Sequence, residues 1–187
     1  MSTATKPTVA TVWLDGCSGC HMSFLDMDER ILILANAVDV VYSPVVDPKE
    51  FPASVDITII EGAVSSVEDA HKAELIRARS KFVISLGDCA VTGNVPAMRN
   101  PYSPKELFER AYVENATEPA DANARRMKLP VVGVPALRPH ATPVHEVIKV
   151  DLFVPGCPPP ADAIWFVLTE LLAGRVPDPS ALTRFGK

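Results

Sequence analysis

Short apolar runs alternate along the chain with amphipathic stretches, a rhythm that predicts a parallel β-sheet covered by helices on both faces. Residues 9–14, rich in β-branched and aromatic side chains, predict a first strand that runs straight into Asp15-Gly16-Cys17-Ser18-Gly19-Cys20. Over 24–37 the apolar residues Phe24, Leu25, Met27, Ile31, Leu32, Leu34 and Ala35 form a helical stripe opposite Asp26, Glu29 and Arg30, with Ser23 as the expected cap. Strands are expected at 38–46 and 56–60, separated by a turn-rich segment holding Pro48 and Pro52. Ser65 and Ser66, followed by Glu68 and Asp69, open a predicted helix over 66–80, and a fourth strand follows at 82–86.

The second half is less regular. A short helix is predicted at 104–112, whereas 114–128 is polar, lacks a period and reads as an exposed insertion. Four prolines, Pro130, Pro135, Pro139 and Pro143, keep the next stretch extended and outside any central strand. A last strand at 147–154 leads into Pro155-Gly156-Cys157-Pro158-Pro159-Pro160, and then into an apolar helix over 161–173 ended by Gly174. The expected architecture is an α/β doubly wound parallel sheet, in a single domain covering residues 1–187.

Composition narrows the function. With a net charge of -5 and no block of like charges, the chain has no electrostatic footprint for nucleic acid. Residues 1–11 carry one lysine and no apolar core of an export signal, so a cytoplasmic location is expected. No stretch approaches the roughly 18 apolar residues of a membrane span.

In a reducing compartment, four cysteines that include one C-x-x-C pair point to metal or redox chemistry ahead of structural disulfides. Cys17 and Cys20 follow the first predicted strand, Cys89 the fourth and Cys157 the last, so all four belong to one edge of a parallel sheet, where such folds bind ligands. An all-thiolate site there suits an iron-sulfur cluster or zinc. Structural zinc usually draws on two local knuckles, whereas here two ligands are lone residues on distant loops, a spacing that favours a cluster. A thioredoxin-like dithiol would account for the pair but leaves Cys89 and Cys157 unexplained. Gly16, Gly19, Gly87 and Gly156 flank the thiols and allow close backbone approach.

Trp13-Leu14-Asp15-Gly16-Cys17-Ser18-Gly19-Cys20, Gly87-Asp88-Cys89-Ala90-Val91-Thr92-Gly93 and Pro155-Gly156-Cys157-Pro158-Pro159 together resemble the small subunit of nickel-iron hydrogenases. The related quinone-reducing respiratory subunit has adjacent cysteines in its first motif, where this chain has C-x-x-C. The stretch from His21 to Glu29 is most similar to the cytoplasmic NAD-reducing, bidirectional type. The resemblance implies a flavodoxin-like fold, one [4Fe-4S] cluster on Cys17, Cys20, Cys89 and Cys157, and a large-subunit partner carrying the NiFe centre. It further implies flavin/NAD diaphorase subunits with their own iron-sulfur clusters, holding FMN and NAD. Electrons from H2 would pass through the cluster towards that module. The first loop is not a G-x-G-x-x-G fingerprint, so no phosphate cradle for NAD or FMN is visible in this chain. A hydrogenase with another acceptor, a quinone-reductase-like relay and a zinc-stabilised scaffold are the alternatives.

Glu61 should share the cysteine edge and matches a glutamate of related small subunits, which suggests cluster tuning or proton movement against a simple capping role. Gly16 stands where many of those subunits have another glutamate. His21 either donates towards the cluster or the large-subunit interface, or is a polar capping residue near a helix start. His71, His140 and His145 read as surface residues, and Trp13 and Trp165 as core or interface anchors. Asn115-Ala116-Thr117 matches a glycosylation acceptor, which a cytoplasmic location makes a chance match.

Overall fold

The computed structural model describes residues 6–115 and 132–186. Five parallel strands form the central sheet: β1 (Thr8–Trp13), β2 (Asp39–Tyr42), β3 (Val55–Glu61), β5 (Ser80–Leu86) and β7 (Leu152–Val154), in the order β2-β1-β3-β5-β7. Counting only these strands, the order is 2-1-3-4-5, that of the flavodoxin type of doubly wound sheet. Side-chain alternation splits the core in two. Val9, Ile57, Ile59, Ile84, Leu86 and Val154 face one side, with Leu34, Ile164 and Leu168 from the helices. Ala10, Val12, Ile60 and Val83 face the other, with Ala73, Ile76 and Ala90. Such burial on both faces is why the strands read as nearly continuous apolar runs.

The helix expected over 24–37 is two helices, α1 (Gly19–Leu25) and α2 (Arg30–Ala37). The chain turns between them at Asp28, with φ at 51°. This turn seats Met27 in the core at 1% exposure, and the crowded acids Asp26, Asp28 and Glu29 suit the negative C-terminal end of a helix poorly. Ser23 is therefore not a cap. It is buried inside α1 and donates to the Pro159 carbonyl at 2.5 Å, tying α1 to the proline run after Cys157.

Helix α3 (Val67–Arg79) begins with a full capping box between Ser66 and Asp69, as the Ser-Ser-x-Glu-Asp signal suggests. Two short helices, α4 (Gly87–Thr92) and α5 (Asn94–Ala97), follow β5. The expected strand over 38–46 is ordered as a strand only through Tyr42, and that over 147–154 only from Leu152. Before Leu152, Val144 and Ile148 turn inward to fill the second core cluster, and Asp151 is pinned by Arg77 at 2.5 Å and by the Val83 N–H at 2.8 Å. Burial would raise the Asp151 carboxyl, but these two donors hold it below its usual range. The proline-rich stretch contributes β6 (Leu137–Thr142), which pairs antiparallel with β4 (Val64–Ser66) in a separate two-stranded sheet. It thus stays outside the central sheet as expected. Helix α6 (Pro104–Glu109) continues as a π-helical turn, Arg110–Glu114. Most of the expected insertion at 114–128, and Pro130, lie outside the described residues. Helix α7 (Ala161–Leu172) covers the first core face, and Gly174 adopts a φ of 73° just past its end.

Candidate functional site: a four-thiol cavity

All five central strands end at one edge, and the chain leaves four of them through the loops that carry chemistry. Cys17 lies in the loop after β1, and Cys20 in the first turn of α1. Cys89 sits in the first turn of α4, directly after β5, and Cys157 lies between β7 and α7. Glu61 is the last residue of β3, paired in register between Trp13 and Leu86. All four cysteines, with Glu61 and Asp88, line one cavity of about 80 Å³. A neighbouring space of about 250 Å³ shares Cys17, Cys89 and Cys157 and adds Val95 and Pro96. A larger hollow of about 390 Å³ beside residues 180–184 is lined by no cysteine, histidine or carboxylate.

The thiols are graded in depth: Cys20 is buried, Cys89 half-buried, and Cys17 and Cys157 exposed. Burial pushes the Cys20 thiol up, and the charges of Glu61, Cys89, Cys17 and Cys157 add to the effect. Burial likewise raises Cys89, opposed by a hydrogen bond from the Val95 N–H. Thiolates crowded this way become favourable together when cationic metal lies among them. Among the described residues, no three His, Cys, Asp or Glu side chains close in tightly enough for a single metal ion. Four thiols lining one cavity are nonetheless the donor chemistry of a thiolate-bound metal centre.

Backbone geometry holds this arrangement. Gly87 has a φ of 82°, and a Cβ there would sit 2.2 Å from the Cys20 sulfur, so only glycine lets the β5–α4 turn pass the buried thiol. At Gly62, with a φ of 90°, a Cβ would lie 2.8 Å from the Asp15 carbonyl oxygen, beside the point where Asp15 and Ala63 exchange backbone hydrogen bonds of 3.0 and 2.6 Å. The peptide between Cys157 and Pro158 is cis. Asn94 Nδ2 lies 3.5 Å from the Cys157 sulfur.

His21 is not a surface or capping residue. It is 7% exposed, and both its backbone N–H (2.7 Å) and its Nδ1 (2.5 Å) meet Glu61 Oε2. Trp13 stands edge-on to its ring at 5.2 Å and is itself 36% exposed, which suits an interface position. Sequence reasoning placed His21 and Glu61 on the same edge but missed their pairing, because residues 40 positions apart carry no local signal. It also left Asp88 without a role. His71, His140 and His145 are exposed.

The family model described as NADH ubiquinone oxidoreductase, 20 Kd subunit, matches residues 17–171, which include all four cysteines. The chain belongs to that family. It is 44% identical over 96% of its length to the NAD-reducing hydrogenase HoxS subunit delta of Cupriavidus necator, covering 86% of that protein. One component of the F420-non-reducing hydrogenase of Methanothermobacter marburgensis is 41% identical over 92% of the chain, but the chain spans only 55% of it. A subunit of an NAD+-reducing [NiFe]-hydrogenase solved in the H2-reduced state superposes with a TM-score of 0.89, at 36% identity over 96% of this chain and 99% of that one. A [NiFeSe] hydrogenase chain from Desulfomicrobium baculatum, 18% identical with a TM-score of 0.55 over 93% of this chain and 67% of its own, shares the fold. Within the family, the chain is a small subunit of the NAD-reducing [NiFe] hydrogenase type.

Proposed function

We propose that Cys17, Cys20, Cys89 and Cys157 hold one [4Fe-4S] cluster, and that this chain relays electrons from a nickel-iron centre on a large subunit towards a flavin- and NAD-bearing module. The observation that carries this reading is the convergence of four thiols from three separate loops on one cavity. When bound, such a cluster supplies a site that takes up and gives back one electron at a time.

The chain's own residues supply the ligands, the seal and the field. Cys20 anchors the inner side, while Cys17 and Cys157 ring the exposed side where a large subunit would dock. The cavity wall is glycine-rich, which allows close backbone approach, and the Val95 N–H already bonds the Cys89 sulfur, an interaction that can tune the potential. Glu61 places a buried carboxylate at the cavity, held by His21, where it would disfavour added negative charge. Among the described residues no helix is long and apolar enough to cross a membrane. A cytoplasmic location belongs to this proposal, as do NAD, FMN and further clusters on partner subunits.

The near-equal identity to an F420-non-reducing hydrogenase component favours a second reading for the acceptor: the same relay serves another electron sink. A scaffold built on one zinc ion would require the sulfurs to close to about 2.3 Å from a common point.

The relay is separable from H2 splitting. In the anaerobic complex, Cys157→Ser should lower H2-dependent NAD reduction roughly a hundredfold while exchange between H2 and D2O persists. Unchanged NAD reduction in that variant would contradict the relay.

A further inference from the structure

Asp88 is 5% exposed, directly precedes Cys89, and has no cationic side chain among its hydrogen-bond partners in the described residues. Its bonds run elsewhere. Oδ1 accepts from the Gly156 N–H at 2.7 Å, while the Asp88 N–H donates to the Gly156 carbonyl at 2.8 Å, a reciprocal clasp one residue before Cys157. Oδ2 accepts from the Gly186 N–H at 2.9 Å, which brings the C-terminal segment to the same point. From that segment, the Thr183 hydroxyl donates to the Pro155 carbonyl. Gly156 is so enclosed that an added Cβ would lie 2.7 Å from both Thr183 Oγ1 and the Pro159 Cα. The Cys157 loop is therefore gripped from one side by Asp88 and from the other by Thr183.

We propose that Asp88, backed by Thr183, is a positioning residue: it fixes the separation of the Cys89 and Cys157 loops and so sets the geometry and potential of the group they hold. The inference rests on the cysteine reading given above. Two lone ligands 68 positions apart have no local hairpin to fix their spacing, unlike Cys17 and Cys20. A buried carboxylate that accepts backbone N–H bonds from both neighbouring segments supplies that constraint, and it adds a negative charge that disfavours the reduced state.

The test uses the anaerobically purified complex and three readouts: iron and sulfide content, the paramagnetic-resonance spectrum of the reduced cluster with its midpoint potential, and the rate of iron loss to a chelator. The wild-type complex comes first, because absence of iron and sulfide there would sink the cluster reading itself. Given a cluster, Asp88→Asn and Thr183→Val should both alter the spectrum and lose iron roughly tenfold faster. Only Asp88→Asn, which also removes a buried charge, should raise the potential. Wild-type spectrum, potential and iron-loss rate in Asp88→Asn would overturn the inference. Should that variant fail to assemble, Thr183→Val decides alone: its expected spectral change supports the positioning role, and wild-type behaviour rejects it.

Discussion

A single missing Cβ decides whether the four thiols can meet. At Gly87 a methyl group would lie 2.2 Å from the Cys20 sulfur on a backbone with a φ of 82°, so neither the side chain nor the turn can adapt without moving that thiol. Gly87→Ala should therefore cut bound iron to well under half of wild type, measured by metal analysis of the anaerobically prepared protein, whereas full loading would show that the turn has slack. The residue scale is also where the sequence was most and least informative. The four cysteines and their glycines are legible because each thiol sits in a short motif at the end of a predicted strand. The Glu61 grip on His21 and the Asp88 clasp are not, since each depends on the register of strands far apart in the chain.

At the scale of elements, the positions of the central strands along the chain were readable because buried parallel strands must be apolar throughout, and the loops leaving them carry the polar punctuation. Element ends were less so. The break between α1 and α2 escaped because the apolar stripe continues across it; what ends α1 is the seating of Met27 and the tie from Ser23 to Pro159, both tertiary. The strand before Cys157 is short because Val144 and Ile148 go to the core instead of to the ladder. At the opposite edge, Asp56 joins three strands: it accepts from the Lys81 ammonium at 2.7 Å and from the Thr8 N–H and hydroxyl at 2.8 and 2.9 Å. The Lys81 hydrogen bond, then those from Thr8, hold its carboxyl at about 2, below the ordinary 3.8. Because the folded value is the lower one, this stabilisation is complete above about pH 4 and is lost as pH falls through 2. Denaturant unfolding between pH 2 and pH 7 should show a shallower acid decline in Asp56→Asn than in wild type; parallel declines would exclude the link.

For the whole molecule, the thiol cavity opens beside an apolar surface. Val95 and Met98 are 61% and 73% exposed, and Val95 lines the same space as Cys17, Cys89 and Cys157. Apolar side chains at the mouth of the thiol cavity suit a permanent interface that excludes water. Met98→Asp should weaken retention of the large subunit in co-purification by at least about tenfold while leaving the iron content of this chain intact, since Met98 does not line the thiol cavity. Undiminished retention would move the interface elsewhere.

If three loops at one sheet edge carry a single inorganic cluster, its iron and sulfide must depend on all four thiols. Iron, acid-labile sulfide and zinc should be counted per chain in anaerobically purified wild type and in the four single Cys→Ala variants. Wild type should hold about four irons and four sulfides, with a large loss in each variant. One zinc without sulfide, or full iron content after removal of Cys89 or Cys157, would contradict it.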